Sequence, residues 1–147
     1  MLSNQFSAYS HCMTLKILLV DDNNTFLTSV KNVLAMLPQA QVIAEAHNGT
    51  QALDMAKNLQ PDLLLMDIVM PDMTGLDVAR IINTWPKPPK TIFLSLHDNI
   101  FYRSAVRDLG AIGLIGKANF VIELLPVIVG LTVQDQVEPN SNTSAAL

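Results

Sequence analysis

Five polar residues in this chain of 147 stand at the ends of short apolar runs. Asp21 and Asp22 follow "KILLV", Asp67 follows "DLLLM", Ser95 closes "TIFLS" and Lys117 lies just beyond "IGLI". An unpaired carboxylate is costly to bury, so a strand that runs into Asp67 either yields it to solvent or holds it for chemistry. Two carboxylates ~4 Å apart repel by about 4 kcal/mol at an effective dielectric of 20, and three together need a cation or a proton. An oxygen-only set of this kind suits Mg²⁺, with Mn²⁺ as the alternative. Asp22 and Asp67 are the expected direct ligands, the backbone carbonyl of Val69 a third, and Asp21 acts closely or through water. An aspartate can attack phosphorus to form an acyl phosphate. The Ser95 hydroxyl would then hydrogen-bond one phosphoryl oxygen, and the Lys117 ammonium would neutralise another.

Such convergence needs a scaffold, and the pattern between the five residues supplies one. "KILLV" (Lys16 to Val20) reads as a buried strand, after which Phe26, Val30, Val33, Leu34 and Leu37 recur at helical spacing up to Pro38. "QVIAEA" is a second strand, "HNG" a turn, and Ala52, Leu53, Ala56 and Leu59 mark a helix ended by Pro61. "DLLLM" is the third strand. Gly75 opens a helix carrying Leu76, Ala79 and Ile82, and "TWPKPPK" is too proline-rich to be more than a connection. "TIFLS" is the fourth strand, Phe101, Ala105 and Leu109 mark the fourth helix, Gly110 ends it, and "IGLI" is the fifth strand. "NFVIELLPVIVGLTV" is the last helix, in which Pro126 predicts a kink or a shorter first segment. Strands that alternate with helices and are apolar on both faces imply a parallel sheet covered on both sides. The right-handed crossover rule then favours a doubly wound, flavodoxin-like (βα)5 α/β fold of strand order 2-1-3-4-5. In that order the first and third strands are neighbours, so Asp21, Asp22 and Asp67 converge beyond their carboxyl ends, at the switch point where ligands bind.

The stretches "ILLVDDN", "PDLLLMDIVMPDMTGLD", "IFLSLHD" and "GLIGKANF" stand in the order and spacing of a known family. From Leu15 to Val133 the chain resembles the CheY-like receiver domain of two-component response regulators, leaning towards the NarL/LuxR type. The resemblance implies that Asp67 is the phosphoacceptor, Asp21 and Asp22 the acidic pair, Ser95 the conformational switch and Lys117 the phosphate contact. Pro71 and Gly75 would shape the exit to the third helix. The implied partner is a sensor histidine kinase or phosphotransfer protein in the cytoplasm. The implied output is a protein contact, a homodimer through the fourth helix, fifth strand and fifth helix, or transcription control through an attached DNA-binding domain if the chain is a fragment. The domain would be no enzyme beyond its own phosphotransfer and dephosphorylation. Three residues depart from the family's usual pattern. Leu114 stands where an aromatic switch residue is common, Leu96 where a small residue is common, and Ala118 where many members carry proline after the lysine. Leu96 and Leu114 also suit an alternative, a degenerate receiver that binds partners without phosphorylation. A Mg²⁺-dependent phosphatase would need a general acid at Val69, and a flavin protein would need a phosphate loop after the first strand.

Composition narrows the remaining classes. The formal net charge is −4 with no basic run, so direct nucleic-acid binding by this chain is not expected. No apolar run approaches the ~20 residues of a membrane span. Cys12 is the single cysteine, which rules out an internal disulfide framework. Residues 1–14 read as an extension, 15–133 as the domain, and 134–147 as a disordered tail or the start of a linker. His97 reads as a loop residue, Met66, Met70 and Met73 as packing, Trp85 as a local apolar cover, and Asn48-Gly49 as a turn.

Overall fold

A computed structural model describes residues 14–137, with side chains to residue 133. Residues 1–13 of the expected extension and 138–147 of the expected tail lie outside the described residues, while 134–137, expected to be disordered, continue the last helix. The elements are β1 (Leu15–Val20), α1 (Asn24–Leu34), β2 (Ala40–Ala46), α2 (Gly49–Leu59), β3 (Leu63–Met66) and α3 (Gly75–Ile82). They continue with β4 (Lys90–Ser95), α4 (Ile100–Asp108), β5 (Gly113–Gly116), a 3-10 turn (Lys117–Asn119) and α5 (Phe120–Val137). The five strands are parallel in the order β2-β1-β3-β4-β5, the flavodoxin-like arrangement that the alternating pattern implied.

Register decides what the sheet presents at its carboxyl edge. Val20 pairs with Met66 and Met66 with Phe93, so Asp21 and Asp67, each the next residue, emerge level on adjacent strands. Ser95 pairs with Gly116, which brings Lys117 to the same edge. Successive strand residues face opposite sides and build two cores. Leu18, Leu64 and Phe93 pack with Ala52, Ala56, Val78, Ile82 and Val106 of α2 to α4. Ile17, Leu19, Leu65 and Ile92 pack with Leu27, Val30, Leu34, Leu124 and Ile128 of α1 and α5. Met66 and Met70 are buried in the first core and Trp85 packs against it, as expected.

Several helices differ in detail from their sequence patterns. In α1 the fully buried residues are Leu27, Val30 and Leu34, while Phe26 and Val33 are only partly covered. In α4 Phe101 is 81 % exposed, while Val106 is buried and Tyr102, Ala105 and, just after the helix, Leu109 pack partly against the first core. α5 runs unbroken through Pro126 and past Val133, so the expected shorter first segment is not found. The carbonyl that loses its donor is that of Ile122, a residue 78 % exposed, where water can replace the missing bond. Asn48 is more than a turn residue, since it caps α2 by accepting from the Gln51 amide. Asn48→Ala should lower stability by about 1 kcal/mol in a urea titration, with unchanged slope.

Candidate functional site

The carboxyl edge brings Asp21, Asp67 and Lys117 into one buried cluster. Lys117 Nζ lies 2.6 Å from Asp21 Oδ2 and 3.2 Å from Asp67 Oδ2, and none of the three side chains is more than 9 % exposed. Asp67 Oδ1 accepts from the Ile68 amide at 2.7 Å and from the Val69 amide at 3.4 Å, which sets the carboxylate's orientation. Asp21 Oδ1 accepts from the Asn23 amide at 2.9 Å. Its other oxygen is buried, and its partner is the Lys117 ammonium at 2.6 Å. Asp22 is exposed, yet one carboxylate oxygen from each of Asp21, Asp22 and Asp67 lies within 4.8 Å of the others. Among the described residues one ammonium, Lys117, pairs with two of these three aspartates. Three carboxylates this close, in an all-oxygen donor set, fit a hard divalent cation such as Mg²⁺. Burial pushes the Asp67 carboxyl above its ordinary range, Lys117 draws it down, Asp21 pushes it up, and the balance is upward.

The other expected residues take places around this cluster. Ser95 is 1 % exposed, and its Oγ accepts from the His97 amide at 3.0 Å, which leaves the hydroxyl proton to donate. His97 enters only through its backbone and is otherwise an exposed loop residue. Val69 is half exposed with its main chain against Asp67. Leu114 is buried in β5, whereas Leu96 is 75 % exposed at the mouth of the site. No cis peptide occurs among the described residues, Ala118 included.

Gly75 holds the loop after Asp67 in a way no other residue would. Its amide donates to the Ile68 carbonyl at 2.7 Å, and a Cβ here would stand 2.1 Å from the Asp67 carbonyl oxygen. Gly75→Ala should therefore force the Asp67 backbone to move. A loss of about 2 kcal/mol in chemical denaturation is expected, as for other overpacked sites.

Two contacts at the site had not been read from the sequence. Asp72 accepts from the Gly49 and Thr50 amides and the Thr50 hydroxyl at 2.7 to 2.9 Å, tying the loop after Asp67 to the start of α2. The Thr50 hydroxyl and those amides hold the Asp72 carboxyl well below the usual range. Phe26 places its ring centroid 4.5 Å from Lys117 Nζ. The signal for Phe26 was its place one helical turn after Asp22, and its membership of an apolar stripe concealed it. A groove of about 1000 Å³ lined by Pro61, Trp85, Pro86, Pro88 and Leu131 lies at the amino ends of the strands, away from the carboxylates.

An acidic cluster faced by a lysine, at the switch point of a 2-1-3-4-5 sheet, defines the CheY-like class of receivers. Residues 17–129 match the response regulator receiver domain family, and the chain belongs to it. It is 35 % identical over 118 residues to the transcriptional regulatory protein DegU of Brevibacillus brevis, covering 78 % of this chain and 50 % of that protein. It is 37 % identical over 106 residues to a protein-glutamate methylesterase/protein-glutamine glutaminase of Aliivibrio fischeri, covering 71 % of this chain and 28 % of that one. The signal receiver domain of a NarL response regulator from Mycobacterium tuberculosis shares the fold with a TM-score of 0.75. That domain is 26 % identical, covering 81 % of this chain and 96 % of that one. The chain thus spans half the length of DegU and 28 % of the methylesterase. No helix among the described residues is long and apolar enough to cross a membrane.

Proposed function

We propose that Asp67 accepts a phosphoryl group from the phosphohistidine of a sensor kinase or phosphotransfer protein. The observation that carries this reading is the setting of Asp67. Backbone amides hold one of its oxygens, and the other faces the Lys117 ammonium at the end of a fully buried strand. Oδ2 attacks phosphorus in line with the N–P bond, the O–P bond forms as N–P breaks, and the electron pair returns to the imidazole, which is then protonated. Lys117 neutralises one phosphoryl oxygen and the Ser95 hydroxyl donates to another. Asp22, Asp67 and the Val69 carbonyl, with Asp21 close by or through water, would hold a Mg²⁺ ion, which when bound would supply the remaining positive charge.

The acyl phosphate then shifts an equilibrium between two conformations, typically by 1–3 kcal/mol of coupling. Ser95 is the residue that would carry this shift, through its link to the loop entering α4. Leu96, Ile100 and Phe101 on that loop and helix are 75 to 81 % exposed, an apolar surface suited to a partner or a second copy. Leu114 leaves no aromatic ring on β5 to move with Ser95, so the output acts through the loop and α4. Where the chain is part of a longer regulator, its likeness to DegU supports transcription control through an attached DNA-binding module.

Intact mass after incubation with acetyl phosphate and Mg²⁺ tests the acceptor. A phosphate-sized gain is expected with metal, none with EDTA, and hydroxylamine should remove it because it cleaves acyl phosphates. A folded, Mg²⁺-binding protein that gains nothing would refute the reading.

A further inference from the structure

Lys117 carries its ammonium on a flexible four-carbon stem, and two carboxylates on separate strands do not by themselves fix such a chain. The third contact is aromatic. The Phe26 ring centroid lies 4.5 Å from Nζ, within reach of a cation–π attraction. Phe26 is itself braced, for Phe120 meets it in a T-shaped contact at 5.0 Å and 67°, and Phe120 is 8 % exposed. Its main chain is also tied to the acidic cluster. The Asn23 amide donates to Asp21 Oδ1 at 2.9 Å, and Asn23 Oδ1 accepts from the Phe26 amide at 3.0 Å. One short relay therefore sets the ring relative to the carboxylate that Lys117 pairs with, and the start of α5 holds it from the other side.

We propose that Phe26 is a positioning residue: its ring, braced by Phe120, keeps Lys117 Nζ at the junction of Asp21 and Asp67. It touches no reacting atom and acts through the lysine. The consequence for phosphoryl transfer rests on the acceptor reading above, whereas the placement of the lysine does not. A ring that merely filled space would be replaced adequately by leucine. A ring that holds the ammonium is replaced by tyrosine, which keeps the π face, and fails with leucine.

The test has two arms, run on variants whose circular dichroism matches the parent. In the first, ¹³C–¹H spectra of lysine-labelled protein follow the ε-methylene of Lys117, assigned by its loss in Lys117→Met. Ring current should shift it upfield in the parent and in Phe26→Tyr, and the shift should vanish in Phe26→Leu. In the second, acetyl phosphate and Mg²⁺ give the rate of phosphate gain. Phe26→Leu should slow it about five- to tenfold, Phe26→Tyr should restore it, and in a Lys117→Met background Phe26→Leu should add no further loss. An unmoved ε-methylene in Phe26→Leu, or equal slowing by leucine and tyrosine, would overturn the proposal. A parent protein that takes no phosphate would instead count against Asp67 as acceptor, while the resonance still decides whether the Phe26 ring lies against Lys117.

Discussion

Asp67→Asn is expected to abolish phosphate gain and, without divalent ions, to make the protein more resistant to heat. The two effects share one cause. Asp67 is a buried carboxylate beside Asp21, and the single Lys117 ammonium serves both. Asparagine keeps an oxygen for the Ile68 amide, removes the negative charge and leaves Lys117 paired one to one with Asp21. Two carboxylates ~4 Å apart repel by about 4 kcal/mol at a dielectric of 20, and Lys117 offsets most of it, so a gain of about 1 kcal/mol is expected. The pH dependence follows from sign. The Asp67 carboxyl lies above its ordinary range, so the native state binds this proton more tightly than the unfolded chain. Its destabilising contribution is full above the raised value and fades as pH falls towards the ordinary 3.8. The advantage of the variant should therefore shrink on acidification. Mg²⁺ should reverse the order at neutral pH. A site filled at a hundredfold excess over Kd stabilises the parent by about 2.7 kcal/mol, and a variant lacking one of the three clustered carboxylates should gain less. Calorimetry in EDTA and in Mg²⁺ reads both effects, and a variant melting below the parent in EDTA would contradict the account.

The same residues show how far the sequence could be read. Asp21, Asp67 and Lys117 were legible because each ends an apolar run, and a parallel sheet delivers such ends to one edge whatever its finer geometry. Strand order followed from the alternation of strands and helices. Contacts made by side chains that also belong to a hydrophobic stripe were not legible. Phe26 satisfies helical periodicity, and its second role appears only when β5 brings Lys117 over it. The role of Asp72 is not visible in the sequence, because its partners at Gly49 and Thr50 are distant in sequence and meet it only in the folded chain. Phe101 misled in the opposite direction. Apolar spacing alone made it a core residue, and a helix as short as α4 buries only Val106 fully. At Pro126 the shorter first segment does not occur because the penalty depends on whether the orphaned carbonyl is wet, and exposure at Ile122 cannot be inferred from a run of apolar letters.

Lys117→Met should move stability the other way, and by more. Methionine preserves most of the apolar stem, but it withdraws the only cation that, among the described residues, pairs with two carboxylates that are 3 % and 9 % exposed. Breaking a buried pair from one side leaves the other charge uncompensated, so a loss of about 3 kcal/mol is expected, or roughly 10 °C in melting temperature. The attraction of Lys117 is the strongest influence drawing the Asp67 carboxyl down, so its removal raises that carboxyl further. The deficit should be greatest at pH values above the raised carboxyl and should narrow as the solution is acidified. Mg²⁺ should repair the variant by putting positive charge back among the same oxygens. Asp67→Asn combined with Lys117→Met should recover much of the loss, because only one buried carboxylate then remains without its cation, and the two single effects should fail to add. Denaturant titrations of the four proteins at two pH values, with and without Mg²⁺, read the whole pattern. A loss independent of pH, untouched by Mg²⁺ and undiminished in the double variant would show that Lys117 matters for packing. A loss that follows the carboxylates' charge identifies it as their counter-ion.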